Sequence, residues 1–522
     1  MTRITLVLSI VLTALLGVFS PAMAAPAATS TPRLDLDAAT IPLLQERMGT
    51  GSLTSVELTL RYLDRIRTVD PRVNAVLEIN PLALPQAIAS DAYRHHHGAR
   101  SALEGIPVLL KDNINTQVQP ATAGSRAMVD ARATQDAKLV RRLTSAGAVI
   151  LGKTNLSEWM NFRSPLSTSG WSAVDGLTNN PHVLDRNACG SSSGSAAGVA
   201  ASLAQVAIGT ETDGSIVCPA GVNGIVGLKP TLGLVSRTGL VPISQHQDTA
   251  GPMARHVIDA AITLAVLQGR DDADPATHQI PVTQPADYTA RLATATLDGK
   301  RIGVWRRAGA SPQADAVVQR SVESLQAAGA TVVEVSLPNQ DAAFANEITA
   351  LAAEFKAEIN AYLPATPGVH PRSLAELIEF NRNDPVELQH FGQEIFEFAQ
   401  VSPPVTAPEV QQARQTATGL QRAAIDDLVA AHDLDAIMAP SSGPAWRSTL
   451  GQGDAGVLGS ASPAAVAGYP NISVPAGFAG ALPIGVSFFG SRWNDAGLIE
   501  IAYAFERTVQ ARRAPQYLPS IG

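Results

Sequence analysis

Two short stretches rich in serine and glycine carry the side chains best suited to chemistry in this chain. They read "GSSSGS" at residues 190–195 and "DGS" at residues 213–215. A serine hydroxyl becomes a nucleophile when a base lies within about 3 Å and donors stabilise the oxyanion that forms. The chain has 10 histidines, but none lies between residues 187 and 221 to act as that base. By composition alone, the first stretch also fits a flexible linker.

A lysine can act as the base when its amine is neutral. Lys111 closes the apolar stretch "GIPVLLKDNI" at residues 105–114, and burial at the end of such a strand would lower its pKa. To be neutral at pH 7, the amine needs a pKa near 7 instead of about 10.4, at a cost of roughly 4 kcal/mol. The competing interpretation is a lysine whose ammonium simply reaches solvent.

A second lysine lies in a stretch that formally matches a phosphate-binding loop, "GAVILGKT" at residues 147–154. In such a loop the four residues after the first glycine form a turn, whereas here they are apolar and predict a strand. We therefore expect Lys153 to be structural and the protein to bind no nucleotide. No set of His, Cys and carboxylate residues has metal-ligand spacing, so we expect no metal or organic cofactor.

The elements that must position these groups alternate between strands and helices. Helices are predicted at residues 40–48, from Thr54 with a capping box, at 136–146 and at 313–328, with apolar strands between them. This alternation indicates an α/β fold with a largely buried sheet. A helix over 194–203 and a strand over 206–208 would bring both serine-rich turns to one edge of that sheet, where ligand sites often lie.

Several ordered blocks between residues 104 and 477 resemble the amidase signature family. They include "GIPVLLKDNI", "GSSSGSAAGVAA", "GTETDGSIVCPAGVNGIVGLKP" and "AGYPNISVPAG". The resemblance implies a single compact α/β domain, with a large mixed twisted sheet covered by helices. It also implies roles for three side chains and a cis peptide bond between Gly190 and Ser191. The roles are Lys111 as base, Ser191 as bridging serine and Ser215 as nucleophile, with the backbone amides of Thr212, Asp213, Gly214 and Ser215 as the oxyanion hole.

Two departures from the family pattern narrow the resemblance. The family commonly has Gly where this chain has Asp213, and Arg where this chain has Val217. In both positions the chain resembles the peptide amidases within the family. A carboxylate beside an oxyanion would repel it, so Asp213 is expected to point away or to contact substrate. The leading hypothesis is hydrolysis of C-terminal carboxamides of peptides to the free acid and ammonia. The alternatives are a broader amidase acting on aryl or alkyl amides and, from another class, a non-catalytic exported solute-binding protein.

The ends and the overall charge suggest where the protein works. Residues 1–24 are predicted to be a signal peptide and residues 25–33 a linker. The amidase domain then covers residues 34–522. Within it, residues 354–400 are predicted to be more helical and could cap the site. Export to the periplasm or the medium is therefore expected, and this disfavours a transfer-RNA-linked amidotransferase. The net charge of −8 without a basic stripe argues against a nucleic-acid partner. We expect no membrane association after signal cleavage and favour a monomer.

The chain has 2 cysteines, Cys189 and Cys218, and both lie beside the serine-rich turns. Two cysteines are too few for a fold that depends on disulfides, although an exported protein could form a disulfide between them. Two small buried thiols are the favoured interpretation. The disulfide stays open as the alternative.

Overall fold

The apolar stretches pair into one extended sheet, as the alternating pattern predicts. The structure is a computed structural model that describes residues 34–307, 311–455 and 459–521. The predicted signal peptide and linker lie outside the described residues. The compact unit described below begins at Asp35.

The strands span most of the chain. Eleven of them form a mixed sheet in the order β1-β3-β2-β6-β8-β7-β12-β13-β11-β9-β10, while β4 and β5 form a separate ribbon, counting the described residues only. In chain order they are β1 (Val76–Ile79), β2 (Pro107–Lys111), β3 (Val149–Thr154), β4 (Trp171–Ser172), β5 (Gly176–Leu177), β6 (Val206–Glu211), β7 (Val226–Lys229), β8 (Thr249–Ala254), β9 (Arg301–Val304), β10 (Thr331–Glu334), β11 (Ala436–Pro440), β12 (Asn471–Ala479) and β13 (Leu482–Phe489).

Helices cover this sheet. In the described part of the chain they are α1 (Ile41–Gly49), α2 (Ser55–Val73), α3 (Ala83–His97), α4 (Lys138–Ser145), α5 (Ser193–Ala200), α6 (Val217–Asn223), α7 (Val257–Leu267), α8 (Pro312–Ala327), α9 (Gln340–Ala365), α10 (Leu374–Asn383), α11 (Glu394–Val401), α12 (Pro408–His432), α13 (Ser462–Ala467) and α14 (Asp495–Val509). The α/β class and the large mixed sheet expected from the sequence are confirmed. No helix among the described residues is long and apolar enough to cross a membrane.

Local signals in the sequence explain where several elements begin. The Thr54 side chain accepts a hydrogen bond from the backbone N–H of Glu57 at 3.0 Å, which caps α2 at the predicted position. Strand β3 is longer than the predicted 148–151 and continues through Gly152, Lys153 and Thr154. The residues that imitate a phosphate loop are thus extended backbone, as predicted.

Strands β2 and β6 are parallel neighbours, and their pairing positions the serine-rich turns. Leu110 pairs with Ile208, so β2 ends at Lys111 close to the point where β6 leads into residues 212–215. Helix α5 is buried along its whole length and packs on both strands. A Cβ at Gly194 would lie 2.4 Å from the carbonyl oxygen of Ala75, so the small residues of α5 permit this close packing.

The segment 354–400 is helical, as predicted, but its first helix begins before residue 354. Helix α9 begins at Gln340 and packs against α11 and α12. Phe355 and Phe396 stack at 5.2 Å between ring centroids, and Trp159 meets Phe396 edge-on at 5.8 Å. This aromatic cluster joins α9 and α11 to the segment that carries Trp159.

Candidate active site

Lys111 is fully buried at the end of β2. Its Nζ donates to Ser191 Oγ at 2.7 Å, to Thr210 Oγ1 at 3.0 Å and to the Thr210 carbonyl at 3.1 Å. Burial lowers the pKa of Lys111 to about 7, although the carboxylates of Glu211 and Asp248 favour its charged form. About half of the amines are therefore neutral near pH 7. The prediction that this lysine is buried rather than solvated agrees with the structure.

Ser191 lies directly against this amine. It is fully buried, and the Gly190–Ser191 peptide bond is cis, as the family resemblance implies. A Cβ at Gly190 would lie only 2.1 Å from Ser157 Oγ, so glycine is required for this turn to approach its neighbour. The turn is a packed part of the site, which excludes the flexible-linker interpretation.

Ser215 stands on the turn between β6 and α6. It is 8% exposed and lines a cavity of about 610 Å³. Its carbonyl oxygen accepts a hydrogen bond from the backbone N–H of Ser192 at 3.1 Å, which joins the two serine-rich turns. Glu211 Oε2 accepts from the backbone N–H groups of Ile216 and Val217 at 2.8 and 3.1 Å and so fixes the start of α6.

The four backbone amides predicted to form the oxyanion hole belong to this same turn. Within the described part of the chain, the N–H groups of residues 212–215 donate no hydrogen bond. Gly214 has a φ of 81°, in the left-handed region that glycine tolerates. Asp213, Gly214 and Ser215 line the cavity, whereas Thr212 lines a separate small cavity. Donors without an internal partner beside a cavity are suited to a developing negative charge.

Asp213 belongs to this site, because it is one of the residues that line the cavity. Burial raises the pKa of Asp213 well above its ordinary value, and the nearby carboxyl of Glu347 raises it further. This shift favours the protonated form of Asp213, which does not repel an oxyanion, and so it weakens the conflict expected from the sequence.

Lys153 is fully buried too, but its partners differ from those of Lys111. Its Nζ donates to the carbonyl oxygens of Ile114 at 2.6 Å and Pro120 at 3.1 Å. The carboxylate of Asp112 lies 3.5 Å away. These contacts tie the end of β2 to β3, and the amine does not line the cavity, in agreement with the structural role predicted for Lys153.

The structure joins Cys189 and Cys218 in a disulfide, so the preference for two free thiols is wrong. Their Cα atoms are 6.1 Å apart although 29 positions separate them in the chain. The hydrogen bond between the serine-rich turns brings the residues together, since Cys189 precedes Ser191 and Cys218 follows Ser215. The bridge thus ties the turn of one serine to the helix that follows the other.

Breaking this disulfide is expected to lower the free energy of unfolding by about 3 kcal/mol, because a loop of this length gains freedom in the unfolded chain. The measurement is thermal or denaturant unfolding with and without a phosphine reductant. The double variant Cys189→Ser/Cys218→Ser serves as control, because reductant should not change its stability. Equal stability before and after reduction, with both thiols shown free by mass spectrometry, would contradict the prediction.

The cavity has a volume of about 610 Å³, enough for a small peptide segment. One side is formed by the turns that carry Gly190 and Ser215, and another by the start of α9. Its apolar and aromatic walls include Met160, Trp305 and Phe344, while Ile395 of the predicted capping segment also lines it.

Sequence reasoning missed three residues that the structure adds to the site. Thr210 holds the amine of Lys111 through two oxygens, and Asn113 Nδ2 donates to Thr210 Oγ1 at 2.9 Å. The pairing of β2 with β6 was the signal that could have indicated Thr210. No local sequence pattern predicted Glu347, which lines the cavity from a helix more than 130 residues further along the chain.

Among the described residues, no group of three His, Cys, Asp or Glu side chains is arranged to hold a metal ion.

Comparison with known proteins places this arrangement in a family. The sequence profile described as "Amidase" matches residues 57–499. A probable amidase of Arabidopsis thaliana is 39% identical over 492 residues, which cover 92% of each chain. A glutamyl-tRNA(Gln) amidotransferase subunit of Chloroflexus aggregans is 34% identical, over 90% of this chain and 96% of the other.

Solved structures are similar over the same length. The native peptide amidase from Stenotrophomonas maltophilia is 49% identical with a TM-score of 0.87, over 92% of this chain and 99% of that one. An amidase family protein from Bacillus anthracis is 36% identical with a TM-score of 0.84, over 92% of each chain. The chain therefore belongs to the amidase signature family. It is a hydrolase that acts on amide C–N bonds, which decides against the solute-binding alternative.

Proposed function

We propose that this protein hydrolyses the C-terminal carboxamide of peptides, releasing ammonia and the free acid. The observation that carries the chemistry is the 2.7 Å contact between the buried amine of Lys111 and Ser191, beside the cavity that Ser215 lines. The substrate class is supported by the 49% identity to the peptide amidase of Stenotrophomonas maltophilia, a closer relationship than the 34% identity to the amidotransferase of Chloroflexus aggregans.

In the proposed mechanism, Lys111, Ser191 and Ser215 form a relay. Neutral Lys111 accepts the proton of Ser191 while Ser191 accepts that of Ser215, whose oxygen attacks the carbonyl carbon. The backbone amides of residues 212–215 stabilise the oxyanion, each effective donor contributing roughly 3 kcal/mol. As the C–N bond breaks, the relay returns the proton to the leaving nitrogen and ammonia departs. Water then attacks the acyl-enzyme, and the acid is released with Ser215 restored.

The charges around the cavity favour a neutral end group over an anionic one. Among the described lining residues, Asp213, Asp341, Glu347 and Asp454 are acidic and Arg307 is basic. A terminal carboxamide carries no charge and can enter this acidic surrounding. A terminal carboxylate would be desolvated there with little compensation. The deamidated product is therefore expected to leave readily.

The test is a panel of matched peptides that end in a carboxamide, end in a free acid or carry an internal Gln. Ammonia release and peptide mass are followed with purified protein. We expect turnover of the terminal carboxamide alone. Efficient cleavage of internal bonds, or turnover of aryl amides with none of peptide amides, would favour the broader amidase instead.

The pH dependence of kcat/KM is expected to follow the pKa of the base, Lys111. Because Lys111 accepts a proton only when neutral, and its pKa is about 7, the active fraction rises with pH through that value. Below it, kcat/KM should fall about tenfold for each pH unit. Initial rates between pH 5 and 9 measure this, with circular dichroism at each pH to establish that the fold persists. A flat profile from pH 5 to 7 would contradict the assignment of the base.

We also propose that the protein is exported and that cleavage removes residues 1–24. The support is the apolar run from Ile4 to Phe19, followed by Ala22-Met23-Ala24. Intact-mass measurement of protein recovered from the periplasm or the medium should give a chain that begins at Ala25. Recovery of the full-length chain from the cytoplasm alone would contradict export.

A further inference from the structure

Two carboxyl side chains line the cavity together with Ser215 but take no part in the proposed relay. Asp213 lies two residues before Ser215, and Glu347 projects from α9 on the facing wall. Glu347 is 2% exposed. Both residues line the same cavity, and the carboxyl of Glu347 helps to raise the pKa of Asp213. Two acidic side chains beside Ser215 that the relay does not use need an explanation, because removing a carboxyl group from water costs free energy.

The orientation of α9 indicates which part of a substrate meets this pair. Asp341, Phe344 and Glu347 follow at intervals of three residues on one face of the helix. Asp341 is exposed and Phe344 is 57% exposed, whereas Glu347 is buried, so this face runs from the mouth of the cavity inward. A peptide that enters with its terminal carboxamide first presents the –NH₂ group at its leading tip. The nitrogen therefore reaches the interior while the acyl chain trails toward Phe344.

We propose that Asp213 and Glu347 form the leaving-group subsite, which accepts hydrogen bonds from the –NH₂ of the carboxamide and disfavours a carboxylate there. This inference rests on the proposed function. A buried –NH₂ needs an acceptor for each of its two hydrogens, and a carboxyl oxygen accepts whether or not the group is protonated. Two carboxyl groups meet that need, and the member of the pair that stays ionised repels the carboxylate of the product acid.

A network behind Glu347 fixes its orientation. Gln247 Nε2 donates to Glu347 Oε1 at 2.8 Å, and Arg414 Nη1 donates to Gln247 Oε1 at 2.6 Å. Arg414 is itself held by Glu354, with Nη2 and Oε2 2.7 Å apart. Around Asp213, the nearby groups are the hydroxyl of Ser462, the carboxyl of Glu211 and the amine of Lys229. The hydrogen bonds from Gln247 to Glu347 and from Ser462 to Asp213 orient both acceptors before substrate arrives.

The test compares two leaving groups on one acyl chain: a peptide carboxamide and the matching methyl ester. Both give the same acyl-enzyme, but the methoxy group has no N–H to donate. The variants are Glu347→Gln and Asp213→Asn. In Glu347→Gln, the side-chain amide oxygen still accepts the hydrogen bond from Gln247. The –NH₂ of the new side chain then faces the cavity, where a second donor cannot accept a hydrogen bond from the –NH₂ of the substrate.

We expect kcat/KM for the carboxamide to fall at least about tenfold more than kcat/KM for the ester in each variant. Inhibition by the product acid should strengthen about fivefold or more, because an amide donor replaces a carboxyl group. Glu323→Gln, the same substitution on the exposed side of α8, is the matched control and should change neither quantity. Labelling of Ser215 by a fluorophosphonate establishes that each variant retains a formed site.

Equal losses on carboxamide and ester, or an unchanged ratio in active variants, would overturn the subsite. That result is distinct from failure of the proposed function. If the unmodified protein released no ammonia from any peptide carboxamide, the substrate assignment itself would be overturned before any variant was compared.

Discussion

Replacing Ser215 with alanine is expected to lower kcat by about a million-fold, as removal of the nucleophile does in other serine hydrolases. The residual rate would come from binding and from the donors of residues 212–215. The measurement is ammonia release from a peptide carboxamide by a variant whose thermal unfolding matches that of the unmodified protein. Ser195→Ala is the control, since Ser195 Oγ contacts Thr154 and Ile208 at 2.8 and 3.3 Å and not the cavity.

Covalent labelling tests the same assignment without kinetics. An irreversible fluorophosphonate should modify Ser215 in the unmodified protein and in Ser195→Ala, and peptide mapping identifies the site. The Ser215→Ala variant should remain unlabelled. A label on Ser191 with Ser215 unmodified would reverse the roles of the two serines.

Replacing Lys111 with alanine is expected to lower kcat by about a thousand-fold or more, the range typical of a general base. The reason is that Ser191 would lose the acceptor 2.7 Å from its hydroxyl. Initial rates at pH 7.5 measure the effect, and circular dichroism establishes that the fold is retained. A near-normal kcat for Lys111→Ala would show that the relay does not pass through this amine.

Lys153→Ala is the matched control, because Lys153 is equally buried and also ends an apolar stretch. Its loss removes one donor from the carboxyl of Asp112 and from each of two carbonyl oxygens, at an expected cost of about 3 kcal/mol in the free energy of unfolding. The folded fraction should nevertheless keep a kcat within a few-fold of normal. A loss of kcat as large as that of Lys111→Ala would remove the distinction between the two lysines.

The sequence by itself determined the parts of this protein that depend on local pattern. The hydroxyl of Thr54 caps α2 because the capping residue and the amide it accepts from are three positions apart. The apolar stretches before Lys111 and Lys153 form strands because period and residue type act over a few neighbours. The ordered motifs likewise identified Lys111, Ser191 and Ser215 as the candidate site, and the family they imply is confirmed.

Only the tertiary structure decided which distant groups surround those residues. Cys189 and Cys218 meet because the turns before α5 and α6 are hydrogen-bonded, and no local pattern encodes that contact. The pKa of Asp213 is raised by burial and by the carboxyl of Glu347, a residue of α9 far away in the chain.

Lys111 and Lys153 show most directly why the surroundings of a residue cannot be predicted from its local sequence. Both follow apolar residues and both are fully buried, yet Lys111 meets a serine hydroxyl while Lys153 meets two carbonyl oxygens and a carboxylate. Desolvation and hydrogen bonding depend on what packs around a group in space. Residue type supplies an amine that can lose its charge, and the packing of β2 against β3 and β6 decides which amine stands beside Ser191.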